Sequence, residues 1–157
     1  MASRATILTV GAMLLCVPEL CAQARRNFSG TWKMNMEKSK LSDGNPITYY
    51  TEFIQEIDHR EPKLQITEKI KSSDGDRNVV WKLDIDGREY DAKVVDVPAK
   101  ISANWDGDRL ITRISGEDWK VVRKSKMAED GKAITSEFEL ALDDGSVVKA
   151  TEIWEKQ

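Results

Sequence analysis

The chain has 157 residues, of which 40% are hydrophobic and 32% charged, as is typical of one soluble domain. Its 24 basic and 27 acidic residues give a net charge of -3 without a basic run, so nucleic acid is not expected as a partner. With one histidine and two cysteines, the sequence lacks the side chains of most metal sites and nucleophilic triads. We expect no metal and no cofactor.

Residues 1–24 are predicted to form a secretory signal peptide. Arg4 supplies the positive charge, residues 5–17 form an apolar stretch, and Ala22-Gln23-Ala24 matches a cleavage site. The alternative is an uncleaved membrane anchor, but a spanning helix needs about 20 apolar residues. Leucine precedes both cysteines, where a lipid attachment site would have a small residue. We therefore expect cleavage before Arg25, a secreted or periplasmic location and no stable membrane anchor.

Residues 25–157 are predicted to form a single domain without disulfides, because both cysteines precede residue 25. Asp-Gly pairs recur along this part of the chain, and they favour tight type I′ hairpin turns. Between them, apolar and polar residues alternate with the period of a β-strand. The candidate strands are 30–36, 47–57, 63–71, 77–85, 88–95, 99–105, 108–115, 118–127, 132–142 and 146–155. No convincing helix is predicted.

Ten sequential antiparallel strands would leave exposed edges unless the sheet closes on itself. The predicted fold class is therefore all-β, an antiparallel up-and-down barrel of about 8–10 strands. A sandwich of two sheets is the alternative, because both have the same periodicity. A barrel of this size can hold one small ligand.

Both ends of the mature chain resemble those of calycins. Asn27-Phe28-Ser29-Gly30-Thr31-Trp32-Lys33 is similar to the opening of intracellular fatty-acid-binding proteins and, more loosely, to the Gly-x-Trp of lipocalins, and the segment 150–156 is similar to their ending. More closely, the chain resembles bacterial exported lipocalin-like domains through three motifs in order, Gly30-Thr31-Trp32, Trp105-Asp106-Gly107-Asp108 and Asp130-Gly131-Lys132. The resemblance implies a barrel that binds a small molecule.

Two features depart from the fatty-acid-binding pattern. The connection after the first strand is too short for their pair of lid helices, so no helical lid is expected. Glu152 lies where the resemblance would place their carboxylate-binding arginine.

Aromatic side chains on apolar strand faces are candidate walls of a ligand cavity, since such cavities are lined mainly by apolar and aromatic groups. Each of them could also be ordinary core. Trp32 is interpreted as structural, closing one end of the barrel. The candidate ligand-binding tryptophans are Trp81, Trp105, Trp119 and Trp154.

Three charged residues share strand faces with apolar residues, and a buried charge needs a partner. They are Glu68, Arg123 and Glu152, the candidate polar contacts to a ligand. The alternative is that one or more of them lies in water near the barrel mouth, or follows a β-bulge that swaps the strand faces. His59 is predicted to lie in a turn and to be solvated.

The function predicted from these features is non-catalytic binding of a small apolar or amphipathic ligand. The first alternative is a solidly packed barrel that binds another protein. The second is a small carboxylate-dependent enzyme using Glu68 and Glu152 as an acid pair. A cavity with about 300 Å³ or more of enclosed space would separate the binding protein from the first alternative.

Overall fold

The computed structural model describes residues 25–157, and the predicted signal peptide lies outside the described residues. Alternation of apolar and polar residues produces strands along nearly the whole of this part. The strands are β1 (Gly30–Met34), β2 (Lys40–Leu41), β3 (Tyr50–Arg60), β4 (Lys63–Ser72), β5 (Arg77–Asp84), β6 (Tyr90–Val94), β7 (Val97–Asp106), β8 (Arg109–Ser115), β9 (Trp119–Met127), β10 (Ala133–Leu142) and β11 (Val147–Lys156). All ten predicted strands are present, and β2 is an additional short one. The all-β prediction is confirmed.

One antiparallel sheet contains all the strands, in the order β5-β4-β3-β1-β11-β10-β9-β8-β7-β6, and β2 pairs with β11 beside β1. Neighbours in this order are mostly neighbours in sequence, as in an up-and-down barrel. The strands at the two ends, β5 and β6, are not hydrogen-bonded to each other. The sheet is therefore a nearly closed barrel with a gap between these two strands.

The connection between β2 and β3 contains the one helical element of the described residues, a 3₁₀ helix at Pro46–Tyr49. Asn45 caps it, because its Oδ1 accepts a hydrogen bond from the amide of Ile47 at 2.9 Å. The prediction that a strand begins at residue 47 is thus three residues too early. Among residues 25–157, this end of the barrel therefore carries one helical turn and no pair of lid helices.

The predicted type I′ geometry is wrong for the Asp-Gly pairs, since φ is positive at glycine alone in each of them. A pair of positive φ values occurs instead at Val95-Asp96, between β6 and β7. This turn lies at the same end of the barrel as the 3₁₀ helix and the turn between β10 and β11. We call this end the open end and the opposite one, which carries Trp32, the closed end.

Residues nearer the closed end form a solid core, because inward-facing side chains of successive strands meet there. Among them, Leu64, Ile101 and Leu110 are at most 3% exposed. These three belong to a larger cluster of buried apolar side chains from nine strands, which continues to the open end through residues such as Phe53 and Val79. A barrel filled in this half can enclose a cavity only toward the open end.

Candidate functional site

A cavity of about 380 Å³ opens at the open end of the barrel. Five aromatic side chains line it, namely Tyr50, Phe53, Trp81, Trp119 and Phe138. Aliphatic residues of β4, β5, β6, β8, β9 and β10 also line it, together with Ile47 of the 3₁₀ helix. The walls are thus mainly apolar, as expected for a small-molecule site.

Trp119 stands at the mouth of the cavity, where β9 begins. Its ring packs over Gly116, where an added Cβ would lie 2.3 Å from the indole Nε1. Gly116 has no positive φ, so the requirement for glycine here is one of space rather than of backbone conformation. The small residue in the turn between β8 and β9 gives the ring room to lie at the mouth.

A buried ion pair between Arg123 of β9 and Glu152 of β11 lies at the inner end of the cavity. Arg123 donates through Nε to Glu152 Oε2 at 2.9 Å and through Nη2 to Oε1 at 3.2 Å. The Nε1 of Trp154 donates to the same Oε2 at 3.2 Å. Three donors on the two oxygens of Glu152 are the arrangement of an ionised carboxylate.

Glu68 of β4 joins this pair from across the barrel. Its Oε1 accepts from Nη1 of Arg123 at 3.3 Å and from Nε2 of Gln55 at 2.9 Å. Its Oε2 accepts no hydrogen bond from the described residues, and Glu68 lines the cavity while being only 8% exposed. One carboxylate oxygen at the inner end of the cavity is therefore left for a ligand.

Burial and charge act against each other in this network. Burial raises the pKa of the Glu152 carboxyl group above its ordinary value, although Arg123 opposes this effect. Burial lowers the pKa of Arg123, but Glu152 and Glu68 outweigh it, so the net direction for the guanidinium is upward. Two carboxylates against one guanidinium leave the network with a net negative charge.

The closed end carries a separate aromatic and polar cluster. Trp32 is fully buried and donates through Nε1 to the carbonyl oxygen of Phe28 at 2.9 Å. The backbone amide of Phe28 donates to Nδ1 of His59 at 3.1 Å, and Glu61 Oε1 accepts from Nε1 of Trp105 at 2.7 Å. The residues that precede β1 are thus folded across the end of the barrel and close it.

His59 corrects the sequence prediction, because it lies within β3 and is 3% exposed rather than solvated in a turn. Its partner Phe28 lies 31 residues away in sequence. No local pattern around His59 indicates that contact.

The predicted ligand-binding residues fall into three groups. Trp81, Trp119, Glu68 and Arg123 line the cavity. Glu152 and Trp154 are buried behind Arg123, do not line the cavity, and hold the guanidinium in place through the hydrogen bonds above. Trp105 lies at the closed end, near Phe28 and His59, away from the cavity.

Several lining or supporting residues are not among the predicted ones, including Tyr50, Phe53, Gln55 and Phe138. Phe53 and Gln55 share the inward face of β3. A polar residue in phase with Phe53 is the sequence feature that could have indicated both as site residues. Phe138 had a similar signal, since it shares a strand face with Ile134 and Leu140. Tyr50 had none, because it lies beside a register shift in β3.

Among residues 25–157, no group of three or more histidine, cysteine, aspartate or glutamate side chains is placed to hold a metal ion. No helix in the same range is long and apolar enough to span a membrane.

The fold is shared with proteins of known structure. Human cRBP IV matches 84% of this chain and 99% of its own with a TM-score of 0.59 and 19% identity. A Schistosoma mansoni fatty acid binding protein in complex with arachidonic acid matches 83% of this chain and 96% of its own, with a TM-score of 0.58 and 15% identity. A zebrafish ileal bile acid-binding protein complexed with cholic acid matches 83% and 98%, with a TM-score of 0.58 and 14% identity.

This protein therefore has a calycin-like fold, and the resemblance seen at both ends of its sequence is confirmed at the level of structure. No protein-family model matches the chain. No curated protein is significantly similar to it in sequence. At identities of 14% to 19%, the likeness to the solved structures shows the fold, and the site has to be interpreted from its own residues.

Proposed function

We propose that the protein binds one small, mostly apolar ligand in the cavity at the open end, without catalysing a reaction. The observation that carries this proposal is the cavity itself, about 380 Å³ of mainly apolar space with a charged group at its inner end. Pockets for small molecules commonly span about 300–1,000 Å³ and carry a few placed polar groups. Structural neighbours that bind fatty acids and bile acids support the same conclusion.

The size of the cavity limits the ligand. A water molecule occupies about 30 Å³ in the liquid, so the cavity has room for about a dozen water molecules, or a ligand of roughly a dozen to twenty non-hydrogen atoms. Buried side chains such as Leu64 and Leu110 fill the closed half, so a longer molecule would have to project from the mouth of the cavity.

The geometry argues against both alternative functions. A solidly packed interaction module would have no apolar cavity between its strands, whereas inward-facing aromatic and aliphatic side chains of β3, β4, β5, β9 and β10 line this one. An acid pair would need carboxylates free to exchange protons with a substrate, whereas Glu152 is fully buried with both oxygens occupied by donors. Arg123 lies between it and Glu68, so the two carboxylates do not face one substrate position.

The ligand is expected to be uncharged or positively charged at its polar end. A carboxylate placed against Glu68 would meet a network of net negative charge, at a cost of about 1–3 kcal/mol in a partly desolvated site. Arg123 compensates for this only in part, because three of its five N–H groups already donate to glutamates and its single positive charge is shared by two carboxylates. Fatty acids should therefore bind worse than neutral molecules of the same length.

Displacement of a neutral fluorescent probe by decanoate and by decanol tests this preference. Decanol should displace the probe at a concentration about 5- to 150-fold lower, the range that corresponds to 1–3 kcal/mol. In Glu152→Gln the network loses one negative charge, and the difference should shrink. Stronger displacement by the acid on the unmodified protein would refute the selectivity, and failure of all apolar probes to bind would refute the binding function.

We further propose that the protein is exported and that its mature form begins at Arg25, on the basis of the sequence features of residues 1–24. N-terminal sequencing of protein purified from its host should return Arg25, in material from outside the cytoplasm. An N-terminus at Met1, or a lipid-modified Cys21, would contradict this proposal.

A further inference from the structure

Resting on the proposed binding function, we propose that the ligand is a cationic amphiphile whose ammonium group sits against Glu68. The position is defined by the inward face of the sheet. Gln55 lies directly opposite Glu68 on β3, and Val79 lies directly opposite it on β5. The free Oε2 of Glu68 belongs to a residue that is buried yet lines the cavity. An ammonium group supplies the N–H donor or the positive charge that this oxygen lacks.

Aromatic rings flank this carboxylate on both sides. Phe53 pairs with Ile70, two residues beyond Glu68, and Trp81 pairs with Ile66, two residues before it. Each ring is therefore a diagonal neighbour of Glu68, within reach of a group bound there. Aromatic faces beside a carboxylate attract cations through their quadrupoles, and quaternary ammonium ligands are recognised in this way.

The charges around the cavity favour the same sign of ligand. Glu68, Glu152 and Arg123 leave a net negative charge at the inner end, and Arg77 is the basic residue that lines the cavity at its mouth. The turns of the open end add acidic side chains at positions 43, 74, 76, 96, 117, 118, 143 and 144. A mouth surrounded by acidic groups raises the local concentration of cations and lowers that of anions.

The apolar part of the ligand then extends from Glu68 toward the mouth. Val79, Val121 and Leu140 line that path and provide contacts for an alkyl chain. A ligand in the reverse orientation would bury its chain against the ion pair of Arg123. The ammonium therefore binds at the inner end, and the chain points toward Trp119.

A matched series with one decyl chain tests the proposal on the full mature protein. Decyltrimethylammonium and decylamine should each bind at least 10-fold more tightly than decanol in titrations that follow displacement of a neutral probe. In Glu68→Gln the affinity for both cations should fall at least 10-fold, while that for decanol should change less than 3-fold. The matched control is Glu56→Gln, which removes the same charge from the outer face of β3, and there all affinities should be retained.

The outcomes separate this inference from the binding function. If decanol binds but the cations bind no better, or if Glu68→Gln leaves the preference intact, the cationic ligand is refuted and the apolar cavity stands. Should decanoate bind best and lose affinity in Arg77→Gln, the polar end of the ligand is an anion held at the mouth. If no member of the series displaces the probe, the binding function itself is wrong. The comparison on the unmodified protein remains decisive should Glu68→Gln fail to fold.

Discussion

Replacing Trp32 with alanine is expected to lower the free energy of unfolding by about 3–5 kcal/mol. The ring is fully buried at the closed end, and its Nε1 donates to the carbonyl oxygen of Phe28. Truncation would remove the contacts of the ring, leave a cavity, and take away the donor that holds the segment preceding β1. Urea denaturation followed by circular dichroism measures the loss.

Trp119→Ala is the matched control, since Trp119 lies at the mouth and is only partly buried. Its loss of stability should be less than half that of Trp32→Ala. A loss below about 1 kcal/mol for Trp32→Ala would show that the ring does not close the barrel, and the interpretation of the Gly-Thr-Trp opening would be wrong.

Local pattern was sufficient to predict the strands, because each hairpin in an up-and-down barrel joins neighbours in sequence. The alternation of Leu64, Ile66, Glu68 and Ile70 places all four on one face of β4, and the structure retains that face. Residue 47 was misassigned because the 3₁₀ helix depends on the cap by Asn45 and on packing over the barrel. Alternation does not report such contacts.

The sequence pattern predicts which residues of the candidate site face the barrel interior, but not how far along the barrel axis each one lies. Period-two patterning places Trp105 in phase with Ile101 and Ala103, yet it does not tell which end of the barrel the ring reaches. In the structure, Trp105 lies at the closed end, whereas Trp81 lines the cavity. Whether two inward residues meet depends on the curvature of the sheet, which is a property of the closed barrel.

The contact among Glu68, Arg123 and Glu152 is an example of what the sequence pattern does not predict. Each lies on an apolar face of a different strand, and burial of a charge requires a partner. That requirement indicates that some partner exists without naming it. Since β4 is separated from β9 by four strands in the sheet, only closure brings Glu68 across the interior to within 3.3 Å of Arg123.

Arg123→Met is expected to lower the free energy of unfolding by about 3–5 kcal/mol, because it would leave Glu152 buried without its cation. Only the Nε1 of Trp154 would still donate to that carboxylate. The matched control on the outer face of β9 is Lys126→Met, which breaks an exposed ion pair with Asp108 and should lower the stability far less.

The pH dependence of Arg123→Met identifies the unpaired carboxylate as the cause of the loss. In the variant, burial would hold the folded pKa of Glu152 above its unfolded value, so the folded form would bind the proton more tightly. The penalty should then be small below about pH 4, where both states are mostly protonated, and should grow as the pH rises toward about 7.

Adding Glu152→Met to Arg123→Met should restore part of the lost stability, because the buried charge is then gone from both sides. A double variant that is less stable than Arg123→Met alone would show that Arg123 contributes mainly through packing against Phe138 and Trp154. A penalty for Arg123→Met that does not change with pH would show the same. Under the proposed function, the charges at the inner end of the cavity serve the ligand rather than the stability of the barrel, because removing Arg123 and Glu152 together should cost less than removing Arg123 alone.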